Sequence, residues 1–310
     1  MDSEKMKLIV LMSAYNGEKY IVDQLDSILA QIATFQIQIC VRDDGSNDKT
    51  QDILRKYASK GLIRWYTGEN LGPSLSFLDL IKRNPGYDFY AFSDQDDFWS
   101  PNKLENAVIK LKQLDHHLPV LYCSNAQIVD QNLNSMGRLV YKHQPVTDFY
   151  TLSCAGGILG CTMVFNDYLA NLVRKPVTLK KENIYLHDFF VLLLCASVNG
   201  KIIYDAIPQL KYRQHLGNVV GVPTSLFGTI KNRLHAIKKP TKVSISQQSK
   251  TILDFYYEQL PENHIKWLKK VSKYKTNILN TLCLSFSLKT KYASVNMGIK
   301  NRLLILMRKR

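Results

Sequence analysis

The stretch Lys7-Leu8-Ile9-Val10-Leu11-Met12-Ser13 is a continuous apolar run closed by Ala14-Tyr15-Asn16-Gly17. That pattern predicts a buried strand and a turn. Ile21, Leu25, Ile28 and Leu29 then fall on one stripe of a helix running from about Glu18 to Gln31. A second strand is predicted over Ile37-Gln38-Ile39-Cys40-Val41, followed by the turn Asp43-Asp44-Gly45-Ser46-Asn47-Asp48. The next helix starts near Lys49, with Asp48 suited to its N-cap. Ile63-Arg64-Trp65-Tyr66 reads as a third strand, Ser74 to Ile81 as a helix, and Phe89-Tyr90-Ala91-Phe92 as a fourth strand. This alternation predicts a parallel α/β sheet, in which ligands bind beyond the carboxyl ends of the strands.

Further along, the periodicity loosens. Val120 to Ser124 and Ile202 to Asp205 read as strands, Gly156 to Phe165 as an apolar, glycine-rich strand or turn, and Asp188 to Ser197 as a helix. From Leu226 onward the pattern is helical, with Pro240 and Pro261 as breaks.

Charge divides the chain more sharply than hydropathy does. Of the 310 residues, 41 are Lys or Arg and 26 are Asp or Glu, a formal net charge of +15. Residues 1–227 hold 23 of each sign, so the excess of 18 − 3 = 15 lies in residues 228–310. A balanced body with a cationic, helical extension points to a local anionic surface. The cysteines, Cys40, Cys123, Cys154, Cys161, Cys195 and Cys283, form no C-x-x-C pair and read as small core residues of a reducing compartment. The first residues are too acidic for a signal peptide, and the longest apolar runs fall short of the ~20 residues that span a bilayer. A cytoplasmic protein, peripheral at the inner face of the plasma membrane, is the expectation.

The candidate chemistry centres on Ser93-Asp94-Gln95-Asp96-Asp97-Phe98-Trp99, directly behind the fourth strand. Carboxylates at the mouth of a buried strand need a compensating cation or a proton. Two of them at i and i+2 can turn toward one hard divalent ion, magnesium or manganese, although Asp and Ser are also ordinary turn residues. No G-x-G-x-x-G follows the first strand, and neither a G-x-x-x-x-G-K-S/T loop nor a G-x-S-x-G elbow occurs. A dinucleotide oxidoreductase, a P-loop NTPase and a serine hydrolase are therefore disfavoured.

The order and spacing of Ala14-Tyr15-Asn16-Gly17, Asp43-Asp44-Gly45-Ser46, Asn70-Leu71-Gly72, Asp94-Gln95-Asp96-Asp97, His187-Asp188 and Tyr212-Arg213-Gln214-His215 resemble the family 2 glycosyltransferases over roughly residues 7–220. The D-Q-D-D-x-W run, His-Asp followed by aromatics, and the run from Tyr212 to Gly221 look most like bacterial rhamnosyltransferases of cell-surface polysaccharide synthesis. The resemblance implies a GT-A, Rossmann-like fold: a mixed, mostly parallel sheet flanked by helices. It also implies a catalytic domain over 1–227 and a basic, mainly helical region over 228–310.

Carried over by residue, the resemblance places a nucleotide base between Tyr15 and Asp44, with Ala14, Asn16 and Asp43 beside it. An aromatic ring can stack on a pyrimidine and a carboxylate can accept its N–H. It gives Asp94 and Gln95 to the nucleotide sugar, and Asp96 to a Mn2+ or Mg2+ ion on the donor diphosphate, with His215 as a further protein contact. Arg213 pairs either with phosphate or in a structural salt bridge. Asp188 becomes the base that takes the acceptor proton, where relatives more often carry Glu-Asp. The same residue read alone is the N-cap of the helix that follows.

The reaction implied is a single inverting displacement. It moves L-rhamnose from dTDP-rhamnose onto a lipid-linked or growing surface saccharide, with the cationic extension on an anionic membrane through Phe227, Phe255, Tyr256, Trp267, Leu268, Leu282 and Phe286. Other readings keep the fold with a UDP-glucose or UDP-galactose donor, or use the basic tail for nucleic acid. The last leaves the strand-end acidic clusters without a purpose, and no nucleic-acid partner is expected.

Overall fold

The computed structural model describes residues 5–176, 180, 183–215 and 244–309. Its first half is the predicted alternation: β1 (Lys7–Ala14), α1 (Ile21–Leu29), β2 (Gln36–Asp43), α2 (Thr50–Ser59), β3 (Arg64–Thr67), α3 (Pro73–Arg83) and β4 (Phe89–Ser93). Leu8 to Met12 are wholly buried, as a strand covered on both faces requires. β1 lies between β2 and β4, parallel to both, and its register pairs Ala14 with Asp43 and Met12 with Ser93. The loops after these strands therefore leave one edge of the sheet side by side.

A two-residue strand, β5 (Phe98–Trp99), follows the acidic run, and α4 (Lys103–Leu111) leads to the long β6 (Val120–Val129) and to β7 (Ser135–Leu139). Then come α5 (Phe149–Ala155), a 3-10 turn at Gly160–Thr162, β8 (Val164–Asn166), α6 (Asp167–Arg174), α7 (His187–Ser197) and β9 (Lys201–Arg213). The described residues form a nine-stranded mixed sheet of order β3-β2-β1-β4-β8-β6-β9-β5, with β7 on β6. β8 is antiparallel to both β4 and β6, while β9 is parallel to β6. The antiparallel pairing of Phe98 with Lys211 and Trp99 with Leu210 carries the acidic run to the end of β9. That single pairing joins two motifs more than a hundred residues apart in sequence.

Alternate residues of β1 enter opposite cores. Leu8, Val10 and Met12 pack with α1, α2 and α4, whereas Ile9 and Leu11 pack with α3, α5, α6 and α7. The second core also takes in the C-terminal helices α8 (Ile245–Tyr256), α9 (Glu262–Lys273), α10 (Ile278–Ser285) and α11 (Val295–Leu306). Tyr256, Trp267 and Leu268 are buried there, so they are core residues and not membrane contacts, while Leu282 and Phe286 are exposed. Phe255 is partly buried against the same core. Phe227, the break at Pro240 and the motif residues Leu216 to Gly221 lie outside the described residues. Pro261 does mark a break, preceding the first residue of α9.

Three local expectations change. Helix α2 begins at Thr50 with Lys49 at its N-cap, but Asp48 still accepts the Thr50 N–H at 2.9 Å. Helix α7 begins at His187 with Leu186 at the N-cap, so Asp188 sits in the first turn and does not cap. Cys283 is exposed, whereas the other five cysteines are buried and all six are free thiols. No helix among the described residues is long and apolar enough to cross a membrane.

Candidate active site

The loop after β1 is built to hold Tyr15 at the sheet edge. Asn16 adopts a left-handed φ of 48°, and its backbone N–H donates to Ser46 Oγ at 2.9 Å while its Oδ1 accepts the Asn47 N–H at 2.9 Å. Asn is among the few non-glycine residues that tolerate this conformation. Gln95 clamps Tyr15 from the other side: its Oε1 accepts the Tyr15 N–H at 2.9 Å and its Nε2 donates to the Tyr15 carbonyl at 3.0 Å. A Cβ on Gly17 would collide with the Gln95 amide, so glycine is required there for close approach. The Tyr15 ring remains 45% exposed. Ala14, buried below it, accepts the Asp44 N–H at 2.7 Å.

The two carboxylates at the end of β2 are not equivalent. Asp44 is ion-paired with the buried Arg42 and accepts the Leu71 and Gly72 N–H groups at 2.9 and 2.8 Å. Its oxygens thus fasten the Asn70-Leu71-Gly72 turn. Asp43 Oδ2 accepts from Gln51 and Thr67 at 2.8 and 3.0 Å, but among the described residues its buried Oδ1 has no partner. An orphaned buried carboxylate oxygen is uncommon enough to need an explanation.

At the end of β4 the charges concentrate. His215 Nε2 and Asp96 Oδ2 share a hydrogen bond of 2.7 Å. Asp94 is pushed up to about 7 by burial, then by the charges of Asp96 and Asp188. Burial, Asp96 and Asp94 likewise push Asp97 well above the usual carboxylate range. Asp94, Asp97 and Cys161 offer atoms within 4.8 Å of one another that could ligate a metal. Carboxylates packed this closely raise one another's affinity for a proton, and a hard cation between them would compete for the same oxygens.

Arg213 is buried and fully engaged with protein. Its Nε donates to the Asp96 carbonyl at 2.8 Å, Nη1 to the Gln131 carbonyl at 2.7 Å and Nη2 to Asp23 Oδ2 at 2.8 Å. The guanidinium also lies 4.5 Å from the Tyr20 ring. Of its two expected roles, the structural salt bridge is the one this geometry serves, since the guanidinium ties the end of β9 to the acidic loop.

Asp188 faces the same cluster from α7. Its Oδ2 accepts the Gly160 N–H at 3.1 Å and its Oδ1 the Phe189 N–H at 2.6 Å. Burial pushes its carboxyl up to about 6, against these two backbone donors. Beside it His187 stacks on Phe77 at 3.9 Å, with no hydrogen-bond partner for either ring nitrogen among the described residues. Burial lowers it to about 3, so this histidine is neutral.

The structure therefore brings Asp94, Asp96, His215 and Asp188 together, and sets Ala14, Tyr15, Asn16 and Asp43 along the adjoining edge. Sequence reasoning missed the roles of Gly160 and Cys161, which arrive on the 3-10 turn. It also missed Lys103, buried with its Nζ 3.8 Å from the Trp99 ring and lowered to about 7 by burial. The ambiguous glycine-rich stretch 156–165 was the one available signal for the first two.

The mixed sheet flanked by helices, with its acidic strand end, has the GT-A fold of its solved neighbours. Its solved likenesses include S. aureus TarS in complex with UDP-GlcNAc, with a TM-score of 0.55 and 19% identity over 97% of this chain and 82% of that one. The mannosyltransferase PcManGT from Pyrobaculum calidifontis, in complex with GDP-Man and Mn2+, has a TM-score of 0.52 and 14% identity over 99% and 75%. Residues 9–172 match the model of glycosyl transferase family 2, and the chain belongs to that family. The dTDP-rhamnosyl transferase RfbG of Shigella flexneri is 30% identical over 249 residues, 75% of this chain and 83% of its own. The uncharacterized glycosyltransferase RT0329 of Rickettsia typhi is 28% identical over 66% of this chain and 63% of its own.

Proposed function

We propose that this glycosyltransferase is metal-dependent and inverting, and moves L-rhamnose from dTDP-rhamnose onto a lipid-linked or growing surface polysaccharide. The catalytic unit extends to about residue 227, and the basic region 228–310, whose helices from Ile245 onward pack on it, works against an anionic membrane. The observation that carries the reading is the convergence of the hydrogen-bonded Asp96–His215 pair with Asp94 and Asp188. The Shigella flexneri relative, named for dTDP-rhamnose, supports that donor.

Hard carboxylate oxygens and an imidazole suit manganese or magnesium, and the raised Asp94 and Asp97 carboxyls support a cation at this corner. Asp96 and His215 would hold it, with Asp94 toward the ribose; bound there, it supplies positive charge to the departing nucleoside diphosphate. Tyr15 stacks on the base beside Ala14 and Asn16. Of the carboxylate pair, Asp43 is the one with an oxygen left for the base N–H, while Asp44 shapes the pocket through the Leu71-Gly72 turn. Gln95 acts by fixing the Tyr15 backbone and Arg213 by fixing the acidic loop.

Asp188 takes the proton of the acceptor hydroxyl as that oxygen bonds to the anomeric carbon. The bond from this carbon to the diphosphate oxygen breaks, and its electron pair leaves with the diphosphate. A carboxylate raised to about 6 is a better base than an ordinary one and is still ionised at neutral pH. The test is a thermal-shift panel of dTDP- and UDP-sugars with and without Mn2+. Stabilisation by dTDP-rhamnose that requires Mn2+ is expected; stabilisation only by UDP-hexoses would move the donor assignment, and none at all would refute it.

A further inference from the structure

The two last helices each bury one large apolar residue, Leu284 and Ile305, and turn the larger part of their apolar side chains outward. On α10 the polar Thr281 and Ser285 are buried, while Leu279, Leu282 and Phe286 face outward, Leu279 at 73% and Phe286 at 65% exposure. On α11 Gly298 and Asn301 are buried, while Val295, Ile299, Leu303 and Met307, spaced four apart on one stripe, are all exposed. Leu288, in the connection between the helices, is 90% exposed. A surface helix in water normally turns its apolar stripe to the core. The two helices pack on each other, so these side chains are carried on neighbouring elements and are more numerous than the scattered leucines of an ordinary surface.

The surrounding charge identifies what covers it. Residues 263–310 contain 12 Lys+Arg and no Asp or Glu. Lys289 and Lys291, both exposed, follow Leu288 directly. A second copy of the chain would bring the same positive field against this one, which like-charge repulsion opposes. Nucleic acid would match the charge but not the apolar side chains. An anionic lipid surface matches both, since acyl chains take the leucines and phenylalanine while lysines meet the headgroups.

We infer that the outward face of α10, the 286–294 connection and α11 is a membrane-docking surface that inserts apolar side chains into an anionic bilayer. It deepens the lipid-linked-acceptor reading by naming the surface, and it narrows the sequence expectation: Leu282 and Phe286 belong to this face, whereas Tyr256, Trp267 and Leu268 are buried. No bond is made or broken in docking, so its test is independent of catalysis.

The full chain is floated with vesicles of phosphatidylcholine alone or with about one third phosphatidylglycerol. The wild type is expected to float with the anionic vesicles and to be released by salt. Leu279→Ser combined with Phe286→Ser, Val295→Ser and Leu303→Ser should lower partitioning by about tenfold or more, with melting temperature and dTDP-rhamnose binding unchanged. Lys289→Glu with Lys291→Glu, which leaves the apolar face intact, should weaken binding to anionic vesicles alone. Flotation of the quadruple variant equal to wild type would overturn the inference, as would a wild type indifferent to lipid charge. Wild-type self-association lost in the quadruple variant, without lipid binding by either, would assign the face to a second copy and also overturn it. Failure of the nucleotide sugar to bind, with flotation intact, would count only against the proposed donor.

Discussion

The Nε2 of His215 lies 2.7 Å from Oδ2 of Asp96, although 119 residues separate them. The contact exists because β5 pairs with the end of β9, and Arg213 locks that pairing by donating to the Asp96 carbonyl. If the pair holds a divalent ion, His215→Ala should weaken Mn2+-dependent donor binding by at least the ~10–100-fold seen when outer partners of metal ligands are removed. Calorimetric titration of Mn2+ with dTDP-rhamnose reads this. Unchanged affinity would exclude His215 both as a ligand and as the partner that orients Asp96.

With a metal at the proposed site, Asp94 should make stability depend on pH and metal together. Its folded carboxyl is raised to about 7 from an ordinary 3.8. Between these values the folded state holds a proton that the unfolded state has released, so this group's contribution falls as pH rises through the window. Without divalent cation, Asp94→Asn should therefore raise the melting temperature at pH 7.5 by a few degrees, on the order of 1 kcal/mol. Mn2+ should stabilise the wild type more at pH 7.5 than at pH 5.5, by a similar order of magnitude. A larger metal shift at the lower pH would contradict the assignment.

As the proposed base, Asp188 should set the acid limb of the rate. Its carboxyl is raised to about 6 by burial, and only the ionised form accepts a proton. The pH profile of kcat/KM, which reports the groups of the free enzyme, should fall about tenfold per unit below that value. A profile flat down to pH 5 would mean that another group takes the acceptor proton.

Gly160 holds Asp188 in place. A Cβ there would lie 2.9 Å from both Asp188 Cβ and His187 Nε2, while the Gly160 N–H supports Asp188 Oδ2. Gly160→Ala should lower kcat by about 10–100-fold through displacement of the base, with donor affinity nearly unchanged. Steady-state kinetics alongside donor titration separate the two effects; a loss of donor affinity with kcat retained would contradict it.

What the sequence makes legible depends on where the signal is local. β1 to β4 and their turns show because each strand is an apolar run ending at residues that favour turns. β9 continues eight residues past the predicted end at Asp205 because a register shift opposite Ser124 and Asn125 absorbs Ala206 and Ile207, and pairing resumes at Pro208. Alternation alone does not reveal such a bulge. The Asp96–His215 pair and the Gly160–Asp188 contact are products of topology, with no local trace. In the basic tail, apolar residues lie on both helix faces, so composition could not say that Trp267 turns inward and Phe286 outward. Arg213 was readable as a phosphate ligand or a structural ion pair, and only its three protein acceptors favour the second.

In the proposed reaction Asp188 performs the proton transfer while the Asp94, Asp96 and His215 corner binds the donor through a metal. That division of roles is tested most directly by measuring dTDP-rhamnose binding and sugar transfer on the same Asp188→Asn preparation with Mn2+ present. The account predicts donor affinity within about threefold of wild type and transfer reduced by about a thousandfold or more. Transfer retained near the wild-type rate, or donor binding lost along with it, would contradict the account.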